Sequence, residues 1–434
     1  MFEALRADPC RFVETLLDTR SLCRIWRAWR RRGTAAILAE ISTEENVQPP
    51  GFLPRGVPTE GTPPAATLLV IDATLPQYDH DAGGRSSFLY LQILREMGYE
   101  VFFMPNDQLR REPYASILEG MGVKLLMGRG FRCGKWKNWL RGQAGKITHV
   151  ILHRPNVAKR YLAAIRRIGG LKILYFAHDL RFMREARHYE VDGDAFHLHE
   201  AKYWEGIEKA ILAQVNRAYF FSGEETRIVS SWEGGNNAHT VPLFPVDLLP
   251  SLGLPYEQRA DLLFVGGFAH QPNRDAVLWF AREVFPLVRQ VLPGIEWHIV
   301  GRAPPPEIHS LTGNGILVEG AVTETRLEYL YQTTRLVVAP LRFGAGVKGK
   351  VVEAMCHGVP VVTTPVGAEG IPEGDKNLCV SHDAEDMARQ IIDLYQNPAQ
   401  WETMHARVVQ GANAHFSRRA ALLCLAEDLN SVPA

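Results

Sequence analysis

The stretch Arg335 to Gly370 reads RLVVAPLRFGAGVKGKVVEAMCHGVPVVTTPVGAEG. A β-branched run, Arg335 to Pro340, enters a loop at Leu341-Arg342-Phe343 and then Gly344-Ala345-Gly346-Val347. A helical pattern from Lys348 to His357 follows, stops at Gly358, and gives way to a second apolar run at Val359 to Thr363. Strand, glycine loop, helix and strand in that order form a βαβ unit, which implies a parallel sheet.

The same rhythm extends in both directions. In the second half, strands are expected at Asp261 to Val265, Ile295 to Val300, Ile316 to Glu319, Arg335 to Pro340, Val359 to Thr363 and Asn377 to Val380. Helices are expected at Asn273 to Val291, Thr323 to Gln332, Lys348 to His357 and Ala384 to Tyr395, with Ala399 to Leu429 packing back as C-terminal helix. In the first half, strands are expected at Thr67 to Asp72, Tyr99 to Met104, Val123 to Met127, Ile147 to His153, Leu171 to Ala177 and Arg217 to Phe221. The clearest helix there is Arg85 to Met97, which ends at Gly98 as a C′ glycine should. The fold class is therefore α/β, with two tandem Rossmann-like doubly wound domains.

Between Ser42 and Ala66 stand six prolines and three glycines, a density that blocks helix and ladder hydrogen bonding alike. Pro242, Pro245, Pro250 and Pro255 form a second cluster. These punctuate the 434 residues into an N-terminal helical extension (1–41), a linker (42–66), a first sheet domain (67–241), an interdomain linker (242–258), a second sheet domain (259–415) and a C-terminal helix (416–434). In the extension, Arg20 to Arg32 carries six arginines and no acid, interleaved with Leu22, Ile25, Trp26 and Trp29. One helix face would be aromatic and the next cationic. The plainer reading is a helix packed on the body of the chain or on a partner, with its arginines solvated. The other is peripheral contact with an anionic membrane surface through 20–32.

Composition removes several function classes. The 48 basic side chains balance 48 acidic ones, so the uniform positive field of a general nucleic-acid binder is absent. Six scattered cysteines include no C-x-x-C pair, which fits a reducing compartment and neither a zinc knuckle nor a disulfide scaffold. No run approaches about 18 apolar residues and the N-terminus lacks a signal-peptide core, so a cytoplasmic protein is expected.

Open parallel sheets bind ligands beyond the carboxyl ends of their strands. After Arg335 to Pro340, the glycines let backbone amides approach an anion, and the helix start adds N–H groups and a positive dipole end. Lys348 and Lys350 supply mobile charge for a phosphate. Lys350, Glu353 and His357 share a helix face, where Glu353 can accept hydrogen bonds from sugar hydroxyls, while Val351, Val352 and Met355 face the sheet. Phosphate and polyol together suggest a nucleotide or nucleotide sugar. Gly344, Gly346 and Gly349 also satisfy G-x-G-x-x-G, with Glu369 downstream. That dinucleotide fingerprint belongs in the first βα unit, however, and this loop follows the fourth strand of its half.

Two other strand ends carry candidates. His178, in His178-Asp179 after Leu171 to Ala177, can exchange a proton or bond a hydroxyl, or can simply cap the strand end. In the first βα junction, the loop residues Asp81, Gly83, Gly84 and Arg85 suit a second anion- or hydroxyl-binding helix start, or a flexible loop with an N-cap. Asp79, His80 and Asp81, and likewise Asp192-Gly193-Asp194, imitate metal sites but read better as turns, so no metal site is expected.

Taken together, the chain resembles the GT-B glycosyltransferases, in particular retaining glycosyltransferase family 4, over about Thr67 to Phe416. The resemblance rests on Pro340 to Gly370, with support from LLFVGGF (Leu262 to Phe268), HIVGRAP (His298 to Pro304) and the text at Ile71 to Pro76. It implies that Glu353 holds the donor ribose and that Gly344, Ala345, Gly346 and Val347 lie over the donor sugar and phosphates. It further implies donor contacts from Gly267 and Arg302, and a sugar-facing role for His178. Two departures matter. The first glutamate of the family's Glu-x7-Glu motif would fall at Ala345, and the usual arginine of the diphosphate clamp is replaced by Gly267 and Phe268 after Gly266. Lys348, Lys350 or Arg342 must then take the clamp's place.

The resemblance implies transfer from a nucleotide diphosphate sugar to a glycan, lipid-linked or small-molecule acceptor, with retention, without metal and without a further cofactor. Catalysis would rest on His178 and Lys350. The alternatives are a nucleotide-sugar epimerase of the same fold and a catalytically silent binding subunit of a glycan-assembly complex.

Overall fold

The computed structural model describes residues 66–247, 254–344 and 346–429. The expected extension 1–41, nearly all of the linker 42–66, part of 242–258 and Ala345 lie outside the described residues. Among the described residues, thirteen strands form two parallel sheets of seven and six strands, as the βαβ rhythm requires. The described residues divide into two compact units, 66–76 with 94–172, and 77–93 with 173–247, 254–344 and 346–429.

The first unit carries β1 (Thr67–Asp72), β2 (Glu100–Pro105), β3 (Lys124–Leu125) and β4 (Ile147–His153), in the order β3-β2-β1-β4. Every residue of β1 is buried, as expected for a central strand covered on both faces. Helix α1 (Ala82–Glu96) follows β1 in sequence, and Gly98 at φ 84° ends it. Helices α2 (Tyr114–Gly120), α3 (Trp136–Gly142) and α4 (Pro155–Ile168) complete this part, with Pro155 at the first position of α4, where a missing N–H costs nothing.

The second unit carries β5 (Lys172–Phe176), β6 (Arg217–Phe220) and β7 (Ala238–Thr240), interleaved with α5 (Arg181–Asp192), α6 (Ala195–Leu212) and α7 (Gly223–Ser230). It also holds the whole six-stranded sheet, formed by β8 (Ala260–Val265), β9 (Trp297–Val300), β10 (Ile316–Gly320), β11 (Thr334–Ala339), β12 (Val361–Thr363) and β13 (Cys379–Val380). The order is β10-β9-β8-β11-β12-β13, so strand order reverses between β8 and β11. Such a reversal opens a crevice beyond the strand ends, and here it lies where the glycine loop leaves β11.

Helices of this sheet are α8 (Gln271–Trp279), α9 (Phe285–Val291), α10 (Pro306–His309), α11 (Glu324–Thr333), α12 (Gly349–Cys356), α13 (Pro365–Ala368), α14 (Gly374–Asn377) and α15 (Ala384–Gln396). The helix expected over Asn273 to Val291 is broken by a π turn at Phe280–Val284, where Phe285 N–H bonds to Phe280 O. Pro286 explains the break: it has no N–H to donate, and its ring crowds the preceding turn. Phe280 and Phe285 then pack on Trp297 with ring centroids 4.6 and 5.6 Å away, the aromatic heart of a core that also includes Leu262, Val338 and Met387. The C-terminal stretch forms α16 (Pro398–His415) and α17 (Arg418–Leu429). Asp428 of α17 accepts from Arg217 Nε at 2.6 Å and from Tyr219 OH at 2.6 Å, which ties the chain end to β6.

Candidate functional site

The floor of the crevice is built from glycine. Gly266 follows β8 and Gly301 follows β9, and a Cβ on Gly301 would stand 2.1 Å from the Gly266 carbonyl oxygen. Any larger residue would push the two strand ends apart. A Cβ on Gly266 would meet Asn273 Nδ2 at 2.8 Å and Lys350 Nζ at 3.0 Å, whereas Gly267 faces open space.

Above this floor runs the loop from β11 to α12. Gly344 and Gly346 adopt φ 142° and 71°, backbone conformations that side chains disfavour. Lys348 is the N-cap, in extended conformation, and no side chain caps the helix start. Gly349 permits close packing, since a Cβ there would lie 2.9 Å from Ala82 Cβ and 3.1 Å from Phe244 Cζ. A glycine loop leading to a helix start without a side-chain cap suits an anion.

Cations converge on the loop. Lys350 donates to Asn273 Oδ1, and its Nζ sits 4.8 Å from the Phe264 ring centroid. Burial, with Lys348 nearby, pushes its ammonium down to about 7. Asn273 in turn donates to Gly267 O at 2.7 Å. Lys348 is also held below the ordinary lysine range by burial, although Glu369 Oε2 lies 3.3 Å from its Nζ. The other Glu369 oxygen is 2.5 Å from Arg187 Nη1, which also donates to Gly344 O at 3.3 Å. His270, before α8, is pushed down to about 4 by burial and by Lys350, Arg184 and Lys348. Sequence reasoning missed Arg187, Asn273 and His270, which reach this place from helices distant in sequence and carry no local motif.

Glu353 lies one turn into α12. Its Oε1 pairs with Arg85 and its Oε2 accepts from Tyr331 OH at 3.2 Å. Tyr331 stacks on His357 with centroids 4.4 Å apart and planes 5° off parallel. The buried face is as expected, with Val351, Val352 and Met355 at most 1% exposed. The shared Lys350, Glu353 and His357 face is not a contiguous group: Lys350 turns to Asn273, while Glu353 and His357 meet through Tyr331.

The first βα junction also departs from expectation. Gly83, Gly84 and Arg85 are in the first turn of α1, which begins at Ala82 rather than Arg85, so they are helical and not loop residues. Asp81 Oδ1 accepts from Gly84 N at 2.8 Å, fixing the helix start, and a Cβ on Gly84 would be 2.6 Å from Gln77 O. Arg302 holds Asp79 Oδ2 at 3.0 Å and His80 Nε2 at 2.9 Å. Arg342 is exposed and bonds Asp275 Oδ2 through Nε at 2.8 Å. Gly193 is the left-handed C-cap of α5 and Asp194 caps α6 by accepting from Phe196 N, so that acidic pattern is indeed a turn.

His178 follows β5 at φ 67°, its ring edge-on to Phe221 at 5.4 Å. The turn after it hangs on two buried glutamates. Leu180 N donates to Glu225 Oε1 at 3.0 Å, Arg181 N to Glu208 Oε1 at 2.8 Å and Phe182 N to Glu208 Oε2 at 3.2 Å. Burial pushes both carboxyls up to about 8. In sequence, Ser222-x-x-Glu225 reads as a capping box; Ser222 Oγ does accept from Glu225 N, but the glutamate spends its carboxylate on Leu180 instead. The set as a whole can receive a polyanion at the glycine loop and hydroxyls beside Glu353.

Residues 259–397 match the family model described as Glycosyl transferases group 1. An uncharacterized 44.6 kDa protein in the cps region of Klebsiella pneumoniae is 28% identical over 145 residues. That match spans 32% of this chain and 37% of the relative, so the chain covers about a third of the relative's length. A sucrose-phosphate synthase from Thermosynechococcus elongatus superposes with a TM-score of 0.61 at 16% identity, covering 84% of this chain and 98% of the other. HepE of Anabaena, solved with UDP and glucose, gives 0.61 at 14% identity over 85% of this chain and 100% of its own. TarM gives 0.61 at 10% identity over 85% and 99%. The chain shares the two-sheet GT-B architecture of these proteins.

Proposed function

We propose that the protein transfers a sugar from a nucleoside diphosphate sugar to an acceptor hydroxyl. The observation that carries this reading is the gathering of Lys348 and Arg187 on the Gly344 and Gly346 carbonyls and of Lys350 at the Gly266 floor, with the Glu353 carboxylate one turn further along the same helix. A leaving diphosphate gains negative charge as the glycosidic bond breaks. Cations and helix amides already in place stabilise that charge more in the transition state than in the bound donor. Two of the three cations are on the loop and helix start expected to replace the missing clamp, and Arg187 adds a third.

Glu353 would take the ribose. A carboxylate has about four lone-pair sites; Arg85 and Tyr331 each engage one of its oxygens, which leaves capacity for two hydroxyls. His178 would face the donor sugar, with the turn that follows it fixed by the Glu225 and Glu208 contacts. Retention would follow if the acceptor attacks from the leaving-group face and the departing phosphate takes its proton. No divalent metal and no further cofactor enters this scheme.

HepE has been solved with UDP-glucose, which makes that the first donor to try here. The Klebsiella relative is described as lying in a cps region, so a glycan or lipid-linked acceptor of surface-polysaccharide assembly is the acceptor class we favour. Assembly at the cytoplasmic membrane face would suit the Arg20 to Arg32 segment, and no helix among the described residues is long and apolar enough to cross a membrane. The decisive experiment incubates the protein with a panel of UDP-, GDP- and ADP-sugars and follows thermal stabilisation and release of free nucleoside diphosphate. Slow donor hydrolysis supports transfer, whereas interconversion of two sugars would mean an epimerase. Binding without turnover would mean a silent subunit, and stabilisation by NAD but by no sugar nucleotide would sink the reading.

A further inference from the structure

The hairpin of α5 and α6, whose Arg187 reaches the glycine loop, also brings Glu185, His188 and His197 together. Glu185 and His188 are three apart on α5 and share a face, and His197 enters from the first turn of α6. The imidazoles of His188 and His197 stack with centroids 3.7 Å apart, and His197 Nδ1 lies 2.9 Å from Glu185 Oε2. One ligand atom from each of the three falls within 4.8 Å of the others. The site is sheltered, with the side chains of His197 and Glu185 only 9% and 14% exposed. The hairpin is held in register by the left-handed Gly193 and the Asp194 cap.

From this placement we infer a binding site for a divalent transition metal, zinc in the first instance, with Glu185, His188 and His197 as its protein ligands. Two imidazoles and a carboxylate are a ligand set that suits zinc and leaves a fourth position for water. At a metal–nitrogen distance of about 2.0–2.1 Å, tetrahedral ligand atoms stand roughly 3.3 Å apart. The Glu185–His197 pair is already near that separation, and a His188 ring nitrogen within 4.8 Å of both leaves a shift of that side chain to close the set. The ion replaces the proton shared between His197 Nδ1 and Glu185 Oε2, and that proton leaves to solvent. Arg181 Nε, 3.7 Å from Glu185 Oε1, balances the carboxylate from the opposite oxygen.

The proposal stands apart from sugar transfer, because its readout is metal binding. Full-length, untagged protein is stripped with chelator and titrated with zinc against a chromophoric competitor, and separately with cobalt(II) as a spectroscopic probe. One saturable equivalent is expected, with the intense visible absorption of low-coordinate cobalt. His188→Ala and His197→Ala should each lower zinc affinity at least roughly tenfold. Glu185→Gln should do so while keeping a similar side-chain shape, which guards against a folding defect in the histidine variants. His199→Ala, on an exposed position of α6, should bind as wild type does. No saturable equivalent, or zinc affinity unchanged in Glu185→Gln and His188→Ala, overturns the assignment.

Discussion

Arg85 in the first turn of α1 bonds directly to Glu353 in α12, although 268 residues separate them in sequence. A helix start that reads on its own as an anion site is thus committed to a carboxylate, and the carboxylate proposed to hold ribose is oriented by a guanidinium. Glu353→Ala should weaken donor binding or turnover at least about tenfold, the scale of a lost charge-assisted hydrogen bond of roughly 1.5–3 kcal/mol. Arg85→Ala should weaken it less, since Tyr331 still holds the other oxygen. Donor titrations on both single variants and the double variant check this; independent, additive losses would show that the pair does not act as a unit.

Lys350 gives a pH signature. Its folded-state value near 7, against about 10.4 for a free lysine, means that between those two values the unfolded chain binds the extra proton. Stability should therefore rise with pH across that window. A bound diphosphate restores the charge, so donor binding at about pH 8 should take up a proton. Calorimetry in buffers of different ionisation heat measures the uptake. Lys350→Met should abolish it along with most of the donor affinity, and equal proton uptake in both proteins would remove Lys350 from the site.

Glu225 carries the opposite sign. A carboxyl at about 8 in the folded state and about 4.3 when free binds its proton more tightly in the native protein. Stability should fall as pH rises from about 4.3 to about 8 and then level off. Glu225→Gln keeps an acceptor for Leu180 N–H and cannot ionise. Its urea-unfolding free energy should vary less between about pH 5 and about pH 8 than that of wild type. Glu225→Ala should lose stability at every pH, by roughly 1–3 kcal/mol for the stranded amide.

The glycine floor makes a steric prediction with an internal control. Gly301→Ala places a methyl 2.1 Å from Gly266 O and should cost at least the roughly 1–3 kcal/mol of an overpacked site. Gly267→Ala, three residues from β8's last-but-one position, meets open space and should unfold near the wild-type temperature. Thermal melts of the two variants that coincide would refute the close approach of the two strand ends.

His178→Ala should reduce turnover more than donor affinity. Because φ at 178 is 67°, a region that histidine adopts more readily than alanine, the alanine variant adds backbone strain to the loss of the ring, and His178→Gly separates the two effects. Turnover restored in the glycine variant would assign the loss to backbone strain and take the imidazole out of the chemistry.

Much of the architecture was legible because strand and helix periodicities are local. The buried β1 and β11 runs, the glycine stop after α1, and the sheet-facing Val351, Val352 and Met355 all follow from neighbours within a few residues. The expected Asn273 to Val291 helix failed at Pro286, whose backbone effect outweighs an otherwise continuous apolar pattern. Side-chain partners were less legible. Lys350 and Glu353 read as neighbours on one helix face, yet Asn273 and Arg85, brought there by the chain's folding, claim them separately. Arg187 and Glu225 belong to ordinary amphipathic helices, and nothing in their own segments marks what they touch.

Glu369 sits between Lys348 and Arg187 with one oxygen toward each. One carboxylate thus offsets part of the charge of two cations, and a phosphate drawn to them would compete with a resident carboxylate instead of filling a bare positive hole. Affinity would then report the difference between two anions, and its dependence on ionic strength would be correspondingly shallow.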